Sequence, residues 1–330
     1  MMSAFKMHHV GGEQELAQQE HFRELTNSGR SSLRWIIESA QLESKRLLLP
    51  DFLCEVILDV LAEYNIDVGF YAVDNQLCYQ LPDNLADYDA LYVIKYFGAM
   101  TASFECAIAT FKQCIIVDDV FSPYPQVLDI RQSWYSFNSL RKISAVADFS
   151  LLYSNRLLKP RDVKPLAEFS ALKYQAKQYK YDYLNEVQGD EQYYLSLFNQ
   201  GESYLDAHKG IFSPSSRSVL ESISFYLQLE SEQIIRRNNY DMVCKYLGEY
   251  IIPLQTDCYS YAPVILPRRD AVRKKLIENN IFLAVHWPVA EGLANQLSRS
   301  IISIPLDKRY NTENISNVCL AIKETLREGV

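Results

Sequence analysis

ALYVIKYFGAMTASFECAIATFKQCIIVDDVFSPY, residues 90–124, places two apolar runs on either side of a segment long enough for a helix. The first run, ALYVIKYFG, and the last, CIIVDDVFSPY, are rich in β-branched and aromatic side chains and stop at turn residues, which predicts strands. TASFECAIATFKQ between them predicts a helix. Strand, helix and strand in this span make a βαβ unit. Both runs are apolar throughout rather than alternating, as expected of strands covered on both faces of a parallel sheet.

The same alternation extends outward. TNSGRSSLRWIIESAQLESKR, residues 26–46, is a turn followed by a helical period, with Leu33, Ile36, Ile37 and Ala40 at i, i+3, i+4 and i+7. RLLLPDF reads as a strand stopped by Pro50, CEVILDVLAEYN as a helix and DVGFYAV as a strand; WYSFNSL and FSLLYS are strand-like. From about 162 to 247 the chain is polar, Tyr-rich and helical, which predicts a long connecting helix and a small helical cap. A mixed pattern then returns: YAPVILP (strand), RRDAVRKKLIENN (helix), IFLAVHWP and SIISIP (strands), and NTENISNVCLAIKETLREG, a helix with Asn311 or Thr312 as N-cap. The expected class is α/β, with an N-terminal arm and a large domain built on a mostly parallel sheet covered by helices over 1–205 and a smaller α/β domain over 206–330.

Composition narrows the function. Hydrophobic residues at 48% and charged residues at 22% suit a folded globular chain. A net charge of −8, with no Lys/Arg run, argues against a nucleic-acid partner. Seven widely scattered cysteines, with no CxxC pair, predict reduced thiols and no metal site. His8 and His9 are expected to be solvated rather than ligands. No apolar run approaches the roughly 18 residues of a membrane helix, and the first residues lack the apolar core of a signal peptide. A cytoplasmic protein is expected.

Three features bear chemistry. In SGRSS, residues 28–32, a glycine permits close backbone approach and the helix that follows offers free N–H groups to a phosphate. In IIVDDV, residues 115–120, two aspartates end a buried strand, where open α/β sheets bind ligands. In YSFNSLRKISAVADFS, residues 135–150, Lys142 lies between strand-like segments, and either snorkels to solvent or is held inward. Burial would lower its pKa and free the amine for a Schiff base. Phosphate site, carboxylate and lysine together meet the three needs of pyridoxal phosphate: its phosphate, its ring nitrogen and its aldehyde.

With these residues in hand, the chain resembles the DegT/DnrJ/EryC1/StrS aminotransferases, pyridoxal-phosphate enzymes best known for aminating nucleotide-linked keto-sugars. VGGEQEL, NSGRSSL, LLLPDFLCEVI, YFG, IIVDDVFS, SFNSLRK, RRNNYDMVCKYL, NIFLAVHWP and ISIPLDKRY follow the family's order almost end to end. The resemblance implies the fold type I of pyridoxal-phosphate transferases. It makes Lys142 the Schiff-base lysine and Asp119 the partner of the ring nitrogen. Ser139 and the backbone of Gly29, Arg30 and Ser31 would hold the phosphate; His286 and Trp287, in VHWP, either line the acceptor pocket or pack in the core.

Cys54 stands where relatives stack an aromatic on the ring, with Phe52 nearby. Ser122 replaces their His or Gln, and VADFS, ending in Phe149 and Ser150, replaces PDGG. The implied activity is transfer of an amino group, from a donor such as glutamate, to a keto-sugar in surface-polysaccharide or secondary-metabolite biosynthesis. The implied assembly is a homodimer. The alternative is a degenerate relative that serves as a binding or scaffolding partner. A dehydratase of the family would have replaced the lysine, and a dinucleotide-binding protein would need a GxGxxG after a strand.

Overall fold

Residues 21–187, 189–290, 292–293 and 295–329 are described by the structure, a computed structural model. His8, His9 and the VGGEQEL segment lie outside them. The apolar runs form one eight-stranded sheet from β1 (Phe22–Thr26), β2 (Arg46–Pro50), β3 (Asp67–Val73), β4 (Tyr79–Gln80), β5 (Ala90–Ile94), β6 (Cys114–Asp118), β7 (Trp134–Phe137) and β8 (Ser150–Ser154). Their order is β1-β8-β7-β6-β5-β2-β3-β4. From β3 through β2, β5 and β6 to β7 the neighbours are parallel. β5 is buried at every position, as its unbroken apolar run requires.

The sheet is thus mostly parallel, as expected, with antiparallel pairs at its edges. β8 pairs antiparallel with both β7 and β1, and β4 pairs antiparallel with β3. The reason is the connection: β7 passes to β8 through a loop without a crossover helix, which only an antiparallel pair permits. That loop carries Lys142.

α1 (Gly29–Ala40), α2 (Val56–Ala62) and α3 (Ala102–Thr110) fill the early connections. In place of one connecting helix and a cap, four helices follow: α4 (Ala167–Leu184), α5 (Glu191–Ala207), α6 (Ser216–Leu227) and α7 (Leu229–Leu247). β9 (Tyr261–Ile265) and β10 (Ile301–Pro305) form a separate antiparallel pair, with α8 (Arg269–Glu278), α9 (Leu297–Ser300) and α10 (Thr312–Arg327). Asn311 caps α10 with a reciprocal capping box through Asn314. IFLAVHWP is not a strand. Only Ala284 bridges to Ser303, and the chain then turns Trp287 into an aromatic cluster with Phe52, Tyr96 and Phe121.

One hydrophobic core runs from Leu33 and Ile116 to Val264, Ile302 and Ile322, joining both sheets. Position 205/206 falls inside α5, where Leu205 packs with Leu166 and Phe169 in a second, smaller cluster.

Candidate active site

A cavity of about 280 Å³ lies between the start of α1, the ends of β5 and β6, α2, and the loop after β7. α1 begins where it does because Ser28 caps it: its Oγ accepts from Ser31 N at 3.3 Å and donates to Asn27 Oδ1 at 2.8 Å. The helix therefore opens toward the cavity with its positive dipole end. Gly29 lets this end close on β7, since a Cβ there would stand 3.0 Å from the Phe137 ring. Gly29 and Arg30 line the cavity. Ser31 does not; its Oγ donates to Asn27 Oδ1 at 2.7 Å and accepts from Phe212 N at 3.2 Å.

The two aspartates at the end of β6 have separate surroundings. Asp118 lines the cavity and accepts from Tyr92 Oη at 2.7 Å. Burial raises its pKa to about 6, against the lowering effect of the Tyr92 hydrogen bond, the Val120 N–H and the Lys142 charge. Asp119, expected to face the cofactor, does not line the cavity. Its carboxylate is fully buried, 3.4 Å from Lys95 Nζ, and accepts a hydrogen bond from Ser122 Oγ. Successive residues of a strand point to opposite sides, so only one of an adjacent pair can face the cavity. Ser122 stays with Asp119, away from the cavity.

Lys142 ends a 3-10 turn, Leu140–Lys142, and lines the cavity beside Ser139 and Arg141. Burial, then the adjacent Arg141 charge, lowers the pKa of its ammonium. Both ends of its loop are pinned. Asn138 Nδ2 donates to Ser122 O at 3.2 Å and Pro123 O at 2.6 Å, and its Oδ1 accepts from Leu151 N at 2.8 Å. Beyond the lysine, Asp148 is fully buried and accepts from Ser215 N and Oγ, each at 2.9 Å, from Ser170 Oγ at 3.0 Å and from Ser218 Oγ. Phe149 enters the core, and Ser150 Oγ lies 2.9 Å from Ser32 Oγ.

Of the remaining expected residues, Cys54 and Trp287 line the cavity. Phe52 does not; its ring is fully buried, stacked on Tyr96 at 5.4 Å. His286 is buried behind Trp287 with Nδ1 3.0 Å from Ser303 Oγ. Burial, then the Lys142 charge, pushes its pKa down to about 3, so it is neutral at physiological pH. Sequence reading missed Tyr92, Arg141 and Glu202 in the cavity wall. Glu202 comes from α5 and meets Arg141 at 2.6 Å, a contact no local pattern announces.

Among the described residues no helix is long and apolar enough to cross a membrane, and no group of three or more His, Cys, Asp or Glu is placed to hold a metal ion. No family model matches the chain. No curated protein matches it either. Solved structures do. A DegT DnrJ EryC1 StrS aminotransferase from Brucella abortus is 15% identical, with a TM-score of 0.60 over 92% of this chain and 85% of that one. Helicobacter pylori PseC, an aminotransferase involved in the biosynthesis of pseudoaminic acid, is 12% identical, with a TM-score of 0.64 over 93% and 87%. DesI, solved in the presence of its TDP-sugar product, is 12% identical, with a TM-score of 0.63 over 93% and 81%. At these identities what is shared is the fold: the chain is built as these aminotransferases are.

Proposed function

We propose that the protein is a pyridoxal-phosphate-dependent aminotransferase that moves an amino group from a donor such as glutamate to a nucleotide-linked keto-sugar, in surface-polysaccharide or secondary-metabolite biosynthesis. One observation carries the reading: the Lys142 amine and the Asp118 carboxylate share a single cavity at the start of α1. That donor set fits the cofactor. The α1 N-terminus at Gly29 and the Ser139 hydroxyl suit its phosphate, Asp118 its ring nitrogen and Lys142 its aldehyde. Asp118 takes the role that the family resemblance assigned to Asp119. The TDP-sugar product of DesI and the part of PseC in pseudoaminic acid biosynthesis support the acceptor class.

Pyridoxal phosphate, when bound, supplies an electron-withdrawing ring that stabilises negative charge next to the reacting nitrogen. The chain supplies the rest. Burial and Arg141 favour the neutral Lys142 amine, which serves as anchor and then as the base that moves a proton at the donor Cα. Tyr92 fixes the Asp118 carboxylate by its hydrogen bond, so the charge meets the ring without reorganising. Leu33, Ile57, Val60, Phe137 and Trp287 wall the cavity with apolar surface, which excludes water from the proton transfer. The reading includes a homodimer in the cytoplasm; all seven cysteines are free thiols, which suits a reducing compartment.

The test is the absorbance of the purified protein with added pyridoxal phosphate, wild type beside Lys142→Ala, followed by borohydride reduction and peptide mapping. A visible band that becomes fixed to the Lys142 peptide, and that bleaches with an amino donor, is expected. If neither protein acquires the band, the binding or scaffolding reading replaces catalysis.

A further inference from the structure

Lys142 ends its 3-10 turn, and the last carbonyls of such a turn find no partner within it. Inside the turn, Lys142 N donates to Ser139 O and Ile143 N to Leu140 O, each at 3.0 Å. The two carbonyls that follow are taken up from far along the chain. Tyr261 Oη, on β9, donates to Lys142 O at 3.4 Å, and Arg236 Nη2, on α7, donates to Ile143 O at 2.6 Å. Both peptide planes after the lysine are thus fastened to side chains from the last hundred residues of the chain.

Arg236 is a costly residue to place there. Its side chain is 2% exposed, and its counter-ion Glu232, one turn earlier on α7 and also buried, stands 3.0 Å away. Lys308 Nζ meets the other Glu232 oxygen at 3.0 Å. Taking such a pair out of water costs about as much as its attraction returns, and apolar residues of similar volume would hold α7 at least as well. An apolar side chain, however, has no donor. The planar guanidinium, tied to Glu232, keeps an N–H on Ile143 O with little freedom left to lose. Tyr261 is fixed in turn, its ring edge-on to Phe121 at 5.7 Å and to His286 at 4.8 Å. Asn239, on the same helix, gives a contrast: its Nδ2 serves Leu306 O at 3.0 Å and Tyr310 O at 2.9 Å, neither of them in the Lys142 turn.

The geometry points to Arg236 and Tyr261 as positioning residues that hold the Lys142 amine in the cavity through the backbone of its turn. A lysine stem is flexible, so the amine keeps a buried place only while its own backbone is held. The charges that act on it are Arg141, which favours the neutral amine, and Cys54, Glu202 and Asp118, which favour the ammonium. Replacing Arg236 and Glu232 together removes none of these and leaves the net charge unchanged, so any change in the amine reports where it sits. What this means for catalysis rests on the aminotransferase reading of the cavity; the holding of the amine does not.

The experiment is competitive acetylation of the full, cofactor-free chain across pH, with peptide mapping to read the titration midpoint of Lys142 itself. In Glu232→Gln/Arg236→Met the midpoint should rise toward that of an exposed lysine, because the turn no longer keeps the amine buried. With pyridoxal phosphate added, kcat should fall about tenfold to a hundredfold with KM for the amino donor little changed. Asn239→Ala should lower Tm and leave both readings as in wild type. A wild-type midpoint in the folded double variant, or an equal rise in Asn239→Ala, overturns the assignment. Tyr261→Phe keeps its ring packing and should raise the midpoint by a smaller amount; where the double variant does not fold, an unmoved midpoint in Tyr261→Phe overturns it instead. The visible band of the same samples reports the cofactor separately. A raised midpoint where even the wild type shows no band would sink the aminotransferase reading and leave the anchoring of Lys142 standing; the band with an unmoved midpoint would do the reverse.

Discussion

Tyr92 Oη donates a 2.7 Å hydrogen bond to Asp118 Oδ2 across the neighbouring strands β5 and β6. This bond marks Asp118, and not Asp119, as the carboxylate held ready in the cavity. Asp118→Asn should abolish amino transfer in a steady-state assay. Asp119→Asn should leave measurable turnover but lower Tm, because Lys95 loses its buried counter-ion. Asp118 also has a folded pKa of about 6, above its ordinary value. The contribution of its neutral form to stability is complete below about pH 4 and is lost as pH rises through 6. Asp118→Asn should therefore stabilise the cofactor-free protein at pH 7.5, by up to about 3 kcal/mol in urea unfolding. Equal damage to activity from both substitutions would overturn the assignment.

The lowered Lys142 pKa depends on burial and then on Arg141. Arg141→Gln removes a neighbouring positive charge, so the ammonium becomes easier to keep and its pKa rises. The acidic limb of the kcat/KM profile should move to higher pH. A limb that stays in place would mean that Arg141 does not act on the amine.

Glu202 shows the opposite sign. Burial alone would raise its carboxyl, yet Arg141 and Lys173 bring it down to about 2. Its stabilising effect is present above its unfolded pKa and is lost as pH falls from about 4.5 through 2. Its side chain is 37% exposed, so screening limits the effect to about 1 kcal/mol. Glu202→Gln should lower Tm modestly at pH 7, and the difference from wild type should shrink as pH approaches 2. A gap that does not vary with pH would contradict the ion-pair account.

Asp148 accepts hydrogen bonds from three serines and one backbone N–H, and so ties the loop after Lys142 to α4 and α6. Asp148→Asn would turn an NH2 group toward these donors. A loss of about 2–4 kcal/mol in chemical unfolding is expected, with the cofactor band weakened in proportion to the unfolded fraction. An unchanged midpoint would show that the cage is dispensable.

Much of the architecture was legible because local chemistry and fold agree. Ser28 before Gly29 marks the start of α1, Asn311 the start of α10, and the runs around Leu48, Val93 and Val117 their strands. The choice between Asp118 and Asp119 was not legible, because β6 is almost wholly buried and carries no alternation to set its phase. IFLAVHWP has strand composition, but tertiary packing draws Trp287 toward Phe52 and Tyr96. Arg141 and Glu202 lie 61 positions apart, beyond any periodicity. Lys142 and the acidic pair stood out in the sequence; the phase of the chain at the end of β6 decides which acid shares a cavity with Lys142.

The placement of Trp287 has an optical consequence. The chain has three tryptophans. Trp35 sits in α1 with its indole N–H on Lys159 O at 2.8 Å, and Trp134 is buried in β7; only Trp287 contributes to the cavity wall. The chain thus carries an intrinsic fluorophore in the wall of the candidate site and two internal references elsewhere. With Trp287→Phe as the blank, emission from the unlabelled chain reports occupancy of the cavity, and stopped-flow traces would time the arrival of each ligand without a coupled assay.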